Sequence, residues 1–463
     1  MFLQPRETLE IGEVGSGDLM KALEAGYGAD SANMSGGRSL IPQDIQNTLV
    51  NALTFKEVDF KLMNMLPKPK VFSTVHEYTR ETAVGAEQNI FVAEGGSIEE
   101  NTSVLERVTK PVKYMQSFRK VTLQMRQART IEDAEALEKM SGTLEILKGA
   151  EAANFHGNSD VIPYEYDGVI KQLGDASSKN VRDMRGANMD STDGENAFNN
   201  LAQDIFNSGG YATHSFMPTI IASDLQKLIR DRLRFNTGDN KGSVVVEKYP
   251  TPFSDEIIVA GRNAGPDKFF RIKGAVATAG STDKPNAPTI SLLAQTKTGG
   301  TGFTADTEGT YYYTVHAISK DGISVASSDS SQAVSTGQEV EITITPDGTA
   351  PGTGFIVCRS KKDASGGTDT REMMRVAKDS GDTVVLDQDD LLPGTGEIVL
   401  LSNDGLEPTV QWDQFLPLMK FDLYPTNAAV IPFLVLLFGA LDVKVPWYHG
   451  YIKNIGYTGL DWY

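Results

Sequence analysis

The stretch that most constrains this chain is AAVIPFLVLLFGAL, residues 428–441, fourteen positions without a charge. A helix needs about twenty apolar residues to cross a bilayer. Here Pro432 interrupts the run, and Asp442 and Lys444 close it. The chain supplies no second span, and Met1 is followed by Phe-Leu-Gln-Pro-Arg-Glu, not by a basic and then apolar leader. A membrane is therefore not an expected partner. The run reads as a strand, or a strand and turn, buried on both faces inside protein.

Such a segment needs a body around it, and 463 residues give room for two or three domains, each with its own core. The single cysteine, Cys358, excludes an internal disulfide, and five scattered histidines offer no ligand cluster at metal-site spacing. Assembly in a reducing cytoplasm fits this usage. A net charge of -18 disfavours tight nucleic-acid binding, which is driven by Lys and Arg displacing phosphate counterions.

Along the chain, roughly the first forty residues are rich in Gly, Ser and Ala and read as an arm whose order depends on a partner. Residues 41–65 turn helical in pattern until Pro67 and Pro69 stop them, so the arm is bounded at 1–70. Residues 71–122 have strand-like runs at both ends and a polar middle around Gly95-Gly96, which predicts a long hairpin. Its charges, among them Arg80, Glu81, Glu94, Glu99, Glu100 and Arg107, are too many for it to bury a core of its own. It should project and lie on something else, and these six residues are the candidates for contacts between subunits.

The clearest helix spans 130–156, with Thr130 as N-cap, acids in the first turn, and Leu137, Met140, Leu144 and Leu147 recurring as a core-facing stripe. Two amphipathic helices follow, around Phe198 to Phe206 and Leu225 to Leu233, then strands, giving an α+β region that runs to residue 282. From 283 to 402 the composition shifts to Thr, Ser, Gly and Asp with short alternating runs such as TYYYTVHAIS and EVEITIT, the rhythm of a β-sandwich inserted into the larger domain. Tyr311, Tyr313, Val315 and Ala317 should share its inner face. Residues 403–463 return to the earlier style and close the core.

The sequence offers no positive sign of catalysis. TGGTGF at 298–303 lacks the Gly-Lys-Ser/Thr of a phosphate loop and reads as a turn. Asp387, Asp389, Asp390 and Glu397 could bind a cation through oxygen, yet their spacing is not that of a calcium loop, and a solvated turn is the simpler reading. Cys358 reads as a small buried side chain. No cofactor and no metal is expected.

The order of parts resembles the major capsid proteins of tailed bacteriophages, with their Hong Kong 97-like fold. EAANFHGNSDVIPYEYDGVIKQLGD looks like the end of that family's spine helix followed by its Phe-x-Gly and Asp-Gly-Val/Leu-x-x-x-Ile pattern, carried here by Phe155, Gly157, Asp167, Gly168, Val169 and Ile170. FGALDVKVPWYHGYIKNIGY and LDQDDLLPGTGE resemble stretches of capsid proteins from large contractile-tailed phages that carry an immunoglobulin-like insertion. The resemblance implies that 71–122 is the extended loop, 130–156 the spine helix, the region from about 160 to 280 mainly the axial domain, 283–402 the immunoglobulin- or fibronectin-like insertion, and 428–441 a core strand beneath the spine helix. It further implies a shell of hexamers and pentamers around double-stranded DNA, assembled in a bacterial cytoplasm and found in the virion, with scaffold, portal and decoration proteins as partners. Two other readings stay open on residues alone: an encapsulin-type compartment, and a surface adhesin or carbohydrate-binding protein.

Overall fold

The computed structural model describes residues 60–85, 94–96, 102–128, 133–176, 180–230, 248–253, 255–260, 273–299, 302–403, 408–425 and 429–458. Most of the expected arm, Glu99, Glu100 and much of the hairpin tip lie outside the described residues. Of the helical pattern at 41–65, the described part is the short helix Lys61–Met65. It stops at Leu66, which is extended, as the residue before a proline prefers to be.

The apolar run becomes the strand Val430–Val443, the centre of a three-stranded antiparallel sheet between Val410–Asp422 and Lys113–Thr122. The helix Ala134–His156 lies across this sheet. At Gly142 the two approach closely: an added Cβ would sit 3.0 Å from Val435 Cγ2. Ile146, Ala153 and Phe155 of the helix join Trp412, Phe433, Val435, Leu437 and Leu441 of the sheet in one core.

Several expectations are corrected here. The apolar strand is not covered on both faces: Phe118, Leu434 and Phe421 stand opposite one another in register on the face away from the helix, and Phe118 and Phe421 are exposed. Lys113–Thr122 belongs to this sheet, so the hairpin ends at Pro111 and not at residue 122. The long helix starts at Ala134, with Asp133 as N-cap accepting from the Glu135 N–H at 3.0 Å, rather than at Thr130. Its buried face carries Gly142, Ile146, Ala150 and Ala153, while Met140 is 47% exposed and Leu137, Leu144 and Leu147 are half-buried. Periodicity showed a leucine stripe, but the sheet takes the stripe of small residues, which lets the backbones approach. Leu147 still packs at the edge of the core.

A second unit is a six-stranded mixed sheet in the order Val181–Asp183, Gly450–Ile455, Gly396–Leu401, His214–Met217, Asp255–Ala260, Lys248–Pro250. The helices Thr192–Asn207 and Thr219–Arg230 cover it through Phe198, Leu201, Ile205, Ile221 and Leu225. A third unit is a sandwich. One sheet runs Gly322–Ile323, Gly309–Ser319, Gly354–Ser360, Thr370–Ala377, with Ser330–Val334 also on Gly309–Ser319; the other runs Thr383–Asp387, Gln338–Thr345, Thr289–Thr296. Tyr311, Tyr313, Val315 and Ala317 all point into its core against Ile342, Ile344, Phe355 and Val357.

Because Gly396–Leu401 is a central strand of the six-stranded sheet, the sandwich ends near Asp387 and not at residue 402. An apolar strand-like run reveals a strand but not which sheet receives it. The sandwich therefore leaves and re-enters through one sheet. It is seated on the body by a small cluster of Val161 with Ile318, Ile356 and Cys358.

Candidate assembly surface

The hairpin strands Val75–Ala83 and Val104–Pro111 pair antiparallel, with Tyr78 opposite Val108 and Arg80 opposite Glu106. No position of either strand is buried. Alternation of Val, Tyr and Thr with charges makes the strands, and cross-strand ion pairs fasten them: Arg80 to Glu106 at 2.8 Å, and Arg107 to Glu77. Two strands with no buried position are marginal in water by themselves, so this ribbon depends on contacts beyond its own pairing.

The six charged candidates fall into different roles. Arg80 is turned inward: its guanidinium lies 5.1 Å from the Trp447 ring centroid and donates to the Lys444 carbonyl at 3.4 Å. It anchors the hairpin to its own subunit, a correction to the intersubunit role. Arg107, Glu81 and Glu94 are exposed, and Glu99 and Glu100 lie outside the described residues.

At the root of the hairpin, four polar groups far apart in sequence meet. His76 and Tyr78 come from the hairpin, Asp413 and Asp442 from neighbouring strands of the three-stranded sheet. His76 Nε2 is 3.8 Å from Asp413 Oδ2, and both aspartates are fully buried. Burial, reinforced by the charge of Asp413, pushes the Asp442 carboxyl up to about 6; burial likewise raises Asp413 and the Tyr78 phenol. Sequence reading missed this meeting because the histidine and the acids are separated by most of the chain.

The Phe-x-Gly and Asp-Gly-Val pattern has a direct geometric cause. Two backbone segments cross at Gly157 and Gly168, with the Gly168 N–H donating to the Gly157 carbonyl at 2.9 Å. A Cβ on Gly157 would meet the Tyr166 carbonyl at 2.2 Å, and one on Gly168 the Phe155 carbonyl at 2.6 Å, so neither site admits a side chain without movement. Asp167 closes the loop by accepting from the Ser159 N–H at 2.9 Å and hydroxyl at 2.7 Å, while Phe155 and Val169 fill the core and Ile170 packs at its edge.

The same helix holds the segment that precedes the hairpin. Buried Glu151 accepts from the Leu62 and Met63 N–H groups at 2.9 and 3.0 Å, capping the short helix Lys61–Met65. Desolvation outweighs those bonds and pushes its carboxyl up to about 7.

The acidic turn after the sandwich is solvated at Asp390 but not at Asp387, another correction. Asp387 and Asp389 accept from the fully buried Arg359 at 2.7 and 3.0 Å, and Tyr313 donates to Asp387 at 2.8 Å. Glu397 sits on the six-stranded sheet, so the four acids do not converge on a cation. Cys358 is buried, which pushes its thiol up to about 12 and leaves it inert at neutral pH. His449 is wholly buried and accepts from the Ser402 N–H through Nδ1 at 3.0 Å, held neutral by desolvation that lowers it to about 3.

Residues 32–280, more than half of the chain, match the SU10 major capsid protein family. The chain belongs to that family. As an SU10-family major capsid protein it is a structural component of a tailed-phage head shell, it resides in the virion, and many copies of it make the wall. It is 23% identical to the major capsid protein of Staphylococcus phage K over 466 residues, covering 96% of each chain. Identity to the putative major capsid protein of Enterococcus phage phiEF24C is 24% over 471 residues, covering 95% of each. Among solved structures, the capsid of an empty GTA particle aligns with a TM-score of 0.48 at 11% identity, over 93% of this chain and all of that one. Mycobacterium phage Ogopogo aligns at 0.42 and 9%, over 90% and 98%.

Proposed function

We propose that this subunit builds its shell in the Hong Kong 97-like manner, with the hairpin as an extended loop lying on an adjacent subunit and the helix Ala134–His156 as the spine. The observation that carries the reading is the hairpin's lack of any buried position. Its seat has a counterpart on the same molecule: the sheet face bearing Tyr114, Phe118, Met419 and Phe421 is apolar and exposed. A neighbour's hairpin, with exposed Val84, Val104 and Leu105, is of the right chemistry to cover such a surface.

In this reading the subunits form hexamers and pentamers around double-stranded DNA, and Glu81, Glu94, Glu99, Glu100 and Arg107 contribute contacts between copies. The acidic balance of the chain suits a wall past which DNA must slide without sticking. The inserted sandwich serves as an immunoglobulin-like module on the shell, supported by its two sheets and separate core. Scaffold, portal and decoration proteins are its expected partners. Removing residues 88–105 tests the assignment: the subunit should remain soluble and melt as before, while closed particles disappear from electron micrographs. Normal particles from that deletion would overturn it.

A further inference from the structure

We infer that His76, Asp413 and Asp442 form a binding site for a divalent transition-series cation such as Zn²⁺ or Mn²⁺ at the root of the hairpin. One ligand atom from each of the three lies within 4.8 Å of the other two, which singles this group out among the described residues. A cation held at about 2.0–2.2 Å from each ligand needs only small side-chain rotations to draw such a set together.

The second observation is independent of that proximity. Asp442 is wholly buried, and neither of its carboxylate oxygens is held by a well-formed hydrogen bond. Asp413 is equally buried; Gln411 Nε2 donates to its Oδ1 at 2.7 Å, and its Oδ2 has no donor. Buried carboxylates are ordinarily paired, hydrogen-bonded or bound to metal. One carboxylate oxygen from each aspartate therefore meets one imidazole nitrogen at a spot from which water is largely excluded.

The surrounding charges do not supply the missing partner. Lys110 and Lys444 act on the two acids through space, but neither forms an ion pair with them within 4.0 Å, and the Arg80 guanidinium is committed to Glu106 and Trp447. Tyr78, on the same strand face as His76, turns its hydroxyl toward Asp442 as a weak hydrogen-bonding neighbour. One imidazole and two carboxylates in a tight, buried setting suit a borderline cation. Magnesium prefers to keep several waters, and calcium needs six or more oxygens.

The placement gives such an ion a mechanical role. Its ligands come from the hairpin, from the edge strand Val410–Asp422 and from the central strand Val430–Val443, so binding would clamp the hairpin to its own subunit. The direction in which the hairpin leaves the body would then depend on the metal.

The test uses the full-length protein stripped with EDTA, equilibrated separately with Zn²⁺, Mn²⁺, Ca²⁺ or Mg²⁺, desalted and assayed for bound metal by mass spectrometry. About one equivalent of Zn²⁺ or Mn²⁺ per chain is expected, with affinity falling at least about tenfold in Asp442→Asn and in His76→Gln. Metal should also slow amide hydrogen exchange in Val75–Ala83 and Val104–Pro111. The half-exposed His76 makes His76→Gln the variant that leaves folding intact should Asp442→Asn fail to fold. Retention of less than about a tenth of an equivalent, or equal retention in wild type and His76→Gln, overturns the site and leaves the cluster to protons alone.

Discussion

The hairpin and the sandwich are both antiparallel β-structure in one chain, yet they solve the problem of burial in opposite ways. The sandwich places two sheets face to face over thirteen buried side chains, down to a charged pair sealed inside. The two strands of the hairpin have no buried position, and the Arg107–Glu77 pair is open to water. One region is complete within its own chain; the other has strands with no buried position, and in the proposed function it is finished on a neighbouring copy. In a protein whose task is to join copies of itself, exposed strands of this kind and the open apolar sheet face around Phe118 are places where association can be directed.

The largest expected effect probes the self-contained side. Arg359→Ala would leave the fully buried Asp387 carboxyl without its guanidinium partner. Breaking a buried pair from one side costs about 3–5 kcal/mol. Hydrogen exchange should therefore accelerate in Gly309–Ser319 and Gly354–Ser360, while the helix Ala134–His156 keeps its protection. A loss below about 1 kcal/mol would mean that the sandwich leans on the rest of the chain.

Next in size is the tie that holds the segment before the hairpin. The Glu151 carboxyl is raised to about 7 in the fold, against an ordinary value of 4.5. A raised acid binds its proton more tightly in the folded state, so its contribution is complete below the unfolded value and is lost as pH climbs toward 7. The span corresponds to about 3 kcal/mol as an order of magnitude. Urea melts from pH 4.5 to 7 should decline more steeply in wild type than in Glu151→Gln. Parallel curves would show that the buried carboxylate is fully offset by the two N–H groups of Leu62 and Met63.

Much of this division is legible in the sequence, and the limits are physical. Alternation in TYYYTVHAIS was enough to place Tyr311, Tyr313, Val315 and Ala317 inward, because an alternating strand offers only two faces. The excess charge at 71–122 points to a ribbon without a core, although Lys113–Thr122 belongs to the three-stranded sheet. Met140 and Leu144 misled because a helix can turn any of several stripes toward a sheet, and close approach favoured Gly142 and Ala150. Gly396–Leu401 reads as part of the sandwich yet pairs in the six-stranded sheet, because strand patterns carry no address. The meeting of His76 with Asp413 and Asp442 left no mark at all: such a site exists only after the strands have paired.

The smallest effect on stability is the most informative about the hairpin. Arg107 is 68% exposed and pairs with a Glu77 that is itself open to solvent, so water and salt screen the interaction in the free subunit. Arg107→Ala should lower the stability of the isolated chain by no more than about 1 kcal/mol, with the difference vanishing at high salt. If the hairpin is finished on a neighbouring copy, the same change removes a contact repeated at every subunit of the shell, where small losses multiply. Particle yield should then fall several-fold at unchanged melting behaviour, measured by sedimentation and calorimetry on one preparation. Equal losses in both measurements would instead place Arg107 in the folding of its own subunit and erase the distinction between the two regions.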